Sequence, residues 1–267
     1  DSTALTLNQL GVLRLRGSNI TDVSETIGQV TVNGQGQIAI ERQAAARGVE
    51  LVVPGITRGT NGMIILTHSS GALGSDERLI ATGGAASLGG LTNGILPAWI
   101  FSQTDGTYLT YNEFGVVNAG FNKLNGLAAA SGILSTDRLY INSDQTIQAG
   151  QNINAWAMRM DGATTISPGT TATPELLITG SGGLLRFTNN AGRINTHTVF
   201  GSVGTPTEAL IFVNENRLSI GNAGSSATGV PVLTVQPQLV ATRIIKGGGA
   251  ILALESEQIN AAASNGA

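Results

Sequence analysis

Residues 27–40, with the sequence IGQVTVNGQGQIAI, decide the class of fold. Apolar and polar residues alternate on both sides of a central Asn33-Gly34 pair, and a period of two is typical of a half-buried β-strand. Asn-Gly tolerates positive φ and therefore predicts a turn between the two runs. Such a turn is also compatible with an antiparallel hairpin, so this stretch indicates β structure without choosing among β folds.

The same alternation continues along the rest of the chain, with turn residues every eight to a dozen positions. Toward the N-terminus it covers residues 4–7 and 11–17, and downstream it covers residues 49–53 and 63–67. In the second half, short apolar segments are separated by turns rich in Gly, Ser, Asn and Pro; these segments are residues 139–141, 155–160, 164–166, 176–179, 184–188, 209–213, 218–220, 232–235, 243–245 and 251–254.

Roughly twenty short strands without intervening helices exclude a βαβ architecture. A β-solenoid accommodates them simply, because each coil contacts only its neighbours. Three strands in a coil of roughly 20–25 residues would give about a dozen coils, stacked at about 4.8 Å per strand into a rod. A large antiparallel β-sandwich is the alternative.

Helical signals are confined to two short segments. Residues 122–131 have an Ala-rich centre and are predicted to form a short helix or to cap a coil. Residues 41–49, ERQAAARGV, are the second candidate, although the segment is too short to be stable alone.

The composition excludes several classes of function. The 267 residues include 12% charged residues, 37 glycines and no cysteine, so disulfides and thiolate metal sites are excluded. Only two of the 14 basic residues are lysines, Lys123 and Lys246, and no basic run occurs, so neither nucleic-acid binding nor a polybasic membrane patch is expected. The uncharged windows 80–104 and 218–242 are too interrupted by polar residues, Gly and Pro to insert into a membrane.

Residues 94–118 hold five of the eleven aromatic residues, and Phe121 follows directly. Exposed aromatic rings stack on sugars, so Trp99, Tyr108 and Tyr111 are candidate glycan-binding residues. The competing interpretation is packing of these rings under an elaboration of the coil. Tyr108 and Tyr111 are three positions apart and would point to opposite sides of a flat strand, which favours packing.

Residues with catalytic potential are few and scattered. His68 and His197 are the only histidines and are predicted to lie at solvated turns or strand edges. No Gly-x-Ser-x-Gly elbow, dinucleotide-binding glycine motif or calcium nonapeptide is present. The triplet 76–78, Asp-Glu-Arg, is predicted to form a solvated loop.

A polysaccharide-degrading β-helix would need clustered acids on one face. Asp137, Asp144 and Asp161 are the candidate acids, with Arg138 and Arg159 as possible electrophiles. Their spacing does not establish a shared face, so we predict no catalytic residue and no enzymatic activity. No cofactor or metal is predicted either.

Several segments follow one another in a defined order: residues 4–7 and 12–15 (ALTL, VLRL), 24–32 (SETIGQVTV), 94–99 (GILPAW), 108–111 (YLTY), 115–116 (GV) and 245–254 (IKGGGAILAL). This order resembles that of the autotransporter-associated β-strand repeat proteins, which are passenger regions of large bacterial surface proteins. The resemblance extends over nearly the whole chain. It implies a right-handed parallel β-helix on or outside the cell, used as a stalk, adhesin or surface-layer element, and it supplies no catalytic motif.

Together these observations predict an all-β, right-handed parallel β-helix with an aromatic-rich elaboration near residues 94–121. Residues 1–267 are predicted to form a single domain, and the start at Asp1 indicates a segment of a longer surface protein. The predicted function is structural or adhesive, at the bacterial cell surface or outside the cell. The predicted partners are further copies, joined end to end through the ends of the helix, and a surface glycan or host surface.

Overall fold

The computed structural model describes residues 2–69, 72–169, 175–221, 238–255 and 257–260. Internal contacts divide the chain into two compact units, Asp1–Gly120 and Phe121–Ala267. Regular structure in the described residues is almost entirely β, with short 3₁₀ turns at Ala85–Leu88 and Leu127–Gly132. The prediction of a single domain stays a prediction.

The first unit winds its strands into three sheets. In chain order the strands are β1 (Leu5–Asn8), β2 (Val12–Arg16), β3 (Val23–Thr26), β4 (Val30–Asn33), β5 (Gln35–Glu41), β6 (Val49–Val53), β7 (Ile56–Arg58), β8 (Met63–His68), β9 (Glu77–Ala81), β10 (Ile100–Ser102), β11 (Thr107–Asn112) and β12 (Gly115–Asn118). The sheet orders are β1-β4-β7, β2-β5-β8-β10-β11-β12 and β3-β6-β9. Strands three apart in sequence are therefore neighbours, which is the topology of a solenoid with three faces.

Strand pairing between successive coils is parallel and keeps a constant register. Leu5 pairs with Val30, and Val30 pairs with Ile56 in the next coil. Inward-facing residues thus stack in columns, such as Leu51 on Leu79, and both of these are buried. Burial of each aliphatic side chain contributes about 1.5–3 kcal/mol to the free energy of folding. The columns therefore stabilise the stack through contacts between neighbouring coils.

The Asn33-Gly34 pair forms a corner between two sheets, whereas a hairpin was also compatible with the sequence. Gly34 has φ of 73°, and its N–H donates to the Thr60 carbonyl in the next coil at 3.0 Å. The Asn33 side chain donates to that of Asn8, directly below it, at 3.0 Å. The left-handed residue bends the chain while the asparagines bond along the stack, so β4 and β5 lie in different sheets.

The second unit repeats this architecture with its own three sheets. Its strands are β13 (Lys123–Leu124), β14 (Arg138–Ile141), β15 (Gln145–Thr146), β16 (Ile153–Ala155), β17 (Ala157–Met160), β18 (Thr165–Ser167), β19 (Leu176–Thr179), β20 (Gly183–Arg186), β21 (Gly192–Ile194), β22 (His197–Ser202), β23 (Thr205–Pro206), β24 (Glu208–Val213), β25 (Arg217–Ile220), β26 (Gln238–Ala241), β27 (Arg243–Gly247), β28 (Ile251–Leu254) and β29 (Glu257–Asn260). The sheet orders are β13-β14-β17-β20-β24-β27, β15-β18-β21-β25-β28 and β16-β19-β22-β26-β29. The short β23 pairs antiparallel with β22.

The core of the second unit is a set of inward columns. Leu139, Met158, Leu184 and Ile211 are consecutive partners in the first of its sheets, and all four are fully buried. Comparable columns from the other two sheets face them across the interior. The predicted strand at residues 232–235 lies outside the described residues.

The predicted parallel β-helix is confirmed, and its antiparallel sandwich alternative is wrong for the described residues. The elaboration near residues 94–121 is confirmed as well: β10 pairs parallel with β8, but β11 and β12 then pair antiparallel. The right-handed sense of the coils stays a prediction, in line with the strong preference of parallel crossovers for that hand.

Two details of the sequence analysis are wrong. The described residues form eight three-stranded coils rather than about a dozen, because the antiparallel elaboration takes up the chain between β9 and β13 and some coils are long; Ile38 and its partner Leu66, for example, are 28 positions apart. The segment 41–49 is not helical, since it joins the end of β5 to the start of β6 through bends. Within residues 122–131, the only helical structure is the 3₁₀ turn at Leu127–Gly132.

Candidate functional site

The aromatic-rich segment forms the last three strands of one sheet in the first unit. Phe101 in β10 stands directly opposite Tyr108 in β11, and Tyr111 stands opposite Val116 in β12. These antiparallel strands follow β8, so they occupy the edge that another parallel coil would otherwise use. Antiparallel closure of this kind blocks further parallel stacking on this sheet.

Most rings of this segment point into the protein. Trp99 is 7% exposed and Tyr108 is fully buried. The Tyr111 hydroxyl donates to the Ala81 carbonyl at 2.8 Å and accepts from the Ala81 N–H at 3.1 Å, which ties β11 to the end of β9. Phe114 is the exception, with half of its surface exposed. Burial favours the packing interpretation, and ligand binding at Trp99, Tyr108 and Tyr111 stays a prediction.

A buried ionic cluster lies where this segment meets the last coil of the first unit. The His68 side chain is 2% exposed, with Nε2 2.7 Å from Asp105 Oδ2 and Nδ1 3.6 Å from Glu77 Oε2. Glu77 is fully buried and accepts the N–H groups of Arg42 and Ser69 at 2.8 and 3.0 Å. The predictions of a solvated His68 and of a solvated loop at residues 76–78 are therefore wrong at His68 and Glu77.

The cluster has the residue types of a catalytic triad but not its geometry. Ser102 Oγ donates to Asp105 Oδ2 at 2.8 Å, so the serine contacts the carboxylate and not the imidazole. A nucleophilic serine needs its histidine as the proton acceptor, and Ser102 is also fully buried. These contacts are suited to holding the turn after β10 against the end of β8.

Hydrogen bonding controls the ionisation of Asp105. Partial burial by itself would raise the pKa of Asp105, but hydrogen bonds from His68, Ser102 and Asn118 outweigh it and hold that pKa below its usual value. The carboxylate form is therefore the one that the folded cluster stabilises.

The candidate acids of the second unit lie at different corners of the coil. Asp137 precedes β14 and accepts hydrogen bonds from Asn122 and from the Leu134 N–H, both at 2.8 Å. Asp161 follows β17, at the opposite end of the neighbouring strand, about five residue steps or roughly 17 Å farther along the strand direction. Asp144 accepts the Thr165 N–H at 2.7 Å. Each carboxylate thus accepts hydrogen bonds at a corner of the coil. Asp137 and Asp161 do not share a face.

The two arginines proposed as electrophiles lie on the neighbouring strands β14 and β17. Arg159 lies between Tyr140 and Phe187, with its guanidinium carbon 5.0 and 5.1 Å from the ring centroids, and its Nε donates to Asp161 at 2.6 Å. Arg138 begins β14 and its N–H donates to the Asn122 side chain. Among the described residues, no group of three or more His, Asp or Glu side chains has the arrangement of a metal site.

His197 is half-buried at the start of β22. Desolvation lowers the pKa of His197, so the neutral imidazole predominates at neutral pH. His197 begins a strand that pairs with β19 and β26, and its position at a solvated turn or strand edge stays a prediction.

Within the described residues, open strand edges occur at the first coil of the first unit and at the last coil of the second unit. β1, β2 and β3 are the first strands of their sheets, and β27, β28 and β29 are the last of theirs, so within the described residues each pairs on one side only. The first coil exposes Leu10, Val12 and Ile20, and the last coil exposes Ile251 and Leu254. An open strand edge is a place where a further strand can pair.

Fold and side chains together define a protein of the parallel β-helix class, in which the polar side chains described above bond to one another and to the backbone at the corners of the coil. No family model, curated protein or solved structure matches this chain. Among the described residues, no helix has the length and apolar character needed to cross a membrane.

Proposed function

We propose that this chain is a non-enzymatic structural or adhesive segment of a bacterial cell-surface or extracellular filamentous protein. Copies of it associate end to end through the strand edges of the first and last coils. The observation that carries this proposal is the pair of open three-stranded ends, both parallel and both bordered by exposed apolar residues. The resemblance to autotransporter-associated β-strand repeat passengers supports the same function and a location outside the cell.

Head-to-tail association follows from the direction of the strands. A further coil added to a parallel sheet must continue in the same direction, so the last coil of one copy fits the first coil of the next. Heterologous contacts that do not close into a ring generate filaments. Their growth would be driven by backbone hydrogen bonds and by burial of the exposed apolar residues.

Val12 offers a selective way to block the first-coil edge. Gln37 N–H donates to the Gly11 carbonyl at 2.9 Å, and Val12 is the partner of Gln37, so Val12 directs its own N–H away from β5 toward the open edge. Proline at this position removes an edge donor without removing a hydrogen bond between β2 and β5.

Sedimentation velocity over a wide range of protein concentrations tests the proposal. The chain is expected to form concentration-dependent oligomers that Val12→Pro abolishes, whereas Val12→Thr retains the N–H and the β-branched shape and should still associate. Circular dichroism and the melting temperature of both variants check that the fold is intact. A chain that stays monomeric at the highest concentration, or two variants that associate equally well, would contradict the proposal.

The two alternative functions have less support. Glycan stacking would require Trp99 and Tyr108, which are buried in the core, to become exposed, and the hydroxyl of the partly buried Tyr111 is bonded to the Ala81 backbone. Polysaccharide degradation would require paired acids. Asp137 and Asp161 lie at opposite ends of the neighbouring strands β14 and β17.

A further inference from the structure

A cleft of about 530 Å³ opens on the outer face of the second unit. It lies on the sheet β15-β18-β21-β25-β28 and is lined by Thr165, Ala191, Gly192, Arg193, Arg217, Ser219 and Glu255. A volume of this size accommodates a small ligand. The lining has no aromatic or large aliphatic side chain, so it suits a polar ligand.

Strand register places the polar side chains of the cleft in one row. Thr165 is the partner of Arg193, and Arg193 is the partner of Ser219, in three successive coils. Their neighbours Ile166 and Ile194 are fully buried in the core, so the row points outward. Adjacent members of the row are about 4.8 Å apart along the stack.

One carboxylate is already bound at the edge of this cleft, and it comes from the chain itself. Glu255 Oε1 accepts hydrogen bonds from Arg217 Nη2 and from Ser219 Oγ, and Arg217 Nε donates to Ser219 at 3.0 Å. An arginine and a hydroxyl on this face therefore have the geometry to bind an oxyanion.

Arg193 lies in the adjacent coil and differs from Arg217 in one respect. Its backbone N–H donates to the Thr164 carbonyl, but no described residue forms an ion pair or hydrogen bond with its guanidinium group. The Thr165 hydroxyl lies beside it in the row. Because Glu255 neutralises Arg217, Arg193 supplies the uncompensated charge of the cleft lining. Asp144 is not part of the cleft lining, and its carboxylate accepts a hydrogen bond from the Thr165 N–H.

We propose that this cleft binds an acidic saccharide, whose carboxylate or sulfate group pairs with the guanidinium fork of Arg193. The Thr165 hydroxyl, next to Arg193 in the row, then bonds to a sugar hydroxyl. The carboxylate of a uronate is planar and a sulfate ester is tripodal, and both present several oxygen acceptors to the guanidinium group of arginine. Thr165 and Arg193 lie on β18 and β21, which pair on both sides, so this part of the site is not on an open coil edge, whereas Glu255 follows β28 of the last coil.

Isothermal titration calorimetry of the purified chain with three polymers tests the proposal. The probes are polygalacturonate, which carries only carboxylates, dextran sulfate, which carries only sulfates, and neutral dextran. Binding of at least one acidic polymer is expected, and the one that binds identifies the anionic group. No binding to either acidic polymer, or equally tight binding of neutral dextran, would overturn the proposal.

Matched arginine substitutions separate this site from general attraction of anions. Arg193→Gln should weaken binding roughly ten- to a hundredfold, as expected for the loss of a charge-assisted hydrogen bond, whereas Arg16→Gln on the first coil should leave it unchanged. The two variants have the same net charge, and equal losses in both would reject a specific site.

A third variant has an expected effect of the opposite sign. Glu255→Gln removes the internal carboxylate and frees Arg217, so the affinity for the acidic polymer should rise; a fall would contradict the proposal. Val12→Pro should bind the polymer normally, which distinguishes failure of this site from failure of end-to-end association. Melting temperatures of all variants verify their folding.

Discussion

Individual polar residues in this protein hold corners of the coil, and Arg186 does so from a fully buried position. Its Nη1 donates to the Met160 carbonyl at 3.1 Å and its Nη2 to the Gly162 carbonyl at 2.8 Å and to the Asn190 carbonyl. Burial lowers the pKa of Arg186, while the charge of Asp161 opposes that shift. The guanidinium thus supplies hydrogen-bond donors to three corner carbonyls, of which that of Met160 is buried.

Replacing Arg186 with methionine should lower the free energy of unfolding by roughly 3–5 kcal/mol, because a chain of similar length remains but the carbonyls lose their donors. Urea denaturation measures the change, and Arg16→Met, at an exposed site, should alter stability by less than about 0.5 kcal/mol. Similar stabilities of the two variants would show that water or a neighbouring group replaces the guanidinium.

Gly192 gives a second test of the same packing. A Cβ atom built on Gly192 would lie 2.4 Å from Arg186 Nη1, so the glycine leaves the space in which the guanidinium lies. Gly192→Ala should displace the guanidinium and lower the melting temperature. Gly249→Ala is the control, since a Cβ on Gly249 meets no atom within 4 Å. If both variants have the melting temperature of the wild type, the guanidinium group has room to shift.

Asp105 makes the first unit sensitive to acid. Its pKa is depressed in the folded state, so its contribution to stability is present above the ordinary aspartate pKa of about 3.9 and is lost as the pH falls through the folded value. Asp105→Asn should therefore cost about 1–2 kcal/mol at pH 7 and much less near pH 3. Denaturation curves at the two pH values measure this, with the exposed Asp144→Asn as control; a penalty that does not change with pH would contradict the assignment.

At the scale of elements, β10, β11 and β12 convert a parallel stack into an antiparallel end. The change of direction is made by tight turns, and Gly115 at the start of β12 has φ of 92°. Apolar packing then fixes the strands, since Phe101 is fully buried whereas Phe114, at the β11–β12 turn, is exposed. Two phenylalanines in one element therefore carry different amounts of its stability.

Phe101→Ala should destabilise the protein by about 3–5 kcal/mol, through lost burial and the cavity left behind, whereas Phe114→Ala should change stability by less than about 0.5 kcal/mol. Chemical denaturation of the two variants measures both values. Comparable losses would mean that the β11–β12 turn packs against a surface that covers Phe114.

At the scale of the whole molecule, each compact unit has the parts of a complete β-helix. The second unit has three sheets of its own and a core cluster drawn from residues 127–241. In a solenoid, stability is nearly a sum of local terms between neighbouring coils. Separate folding of the two units is therefore expected.

Expression of residues 1–120 and residues 121–267 as separate chains tests that expectation. Each should show a β-type circular dichroism spectrum and cooperative thermal unfolding. If either fragment is unfolded alone, the prediction of one single domain over residues 1–267 gains support instead.

The sequence by itself determined the class of the fold. Alternating apolar residues with a period of two, interrupted by Gly and Asn, specify short strands with one buried face, and their number without helices favours a solenoid over a large β-sandwich. The same patterns also located the aromatic-rich elaboration, because its composition differs from that of the coils. These signals are local, so they can be read without knowing which strands are neighbours.

Only the tertiary structure decided which strands pair, in which register, and which distant side chains contact one another. Asn33-Gly34 has the same local conformational freedom in a hairpin and in a corner, and only stacking on Asn8 makes it a corner. His68, Glu77 and Asp105 are up to 37 positions apart, and Arg193 meets Thr165 and Ser219 only through the pairing of three coils. Burial of a charged side chain depends on which distant groups surround it. A single sequence does not encode those distances in any local pattern.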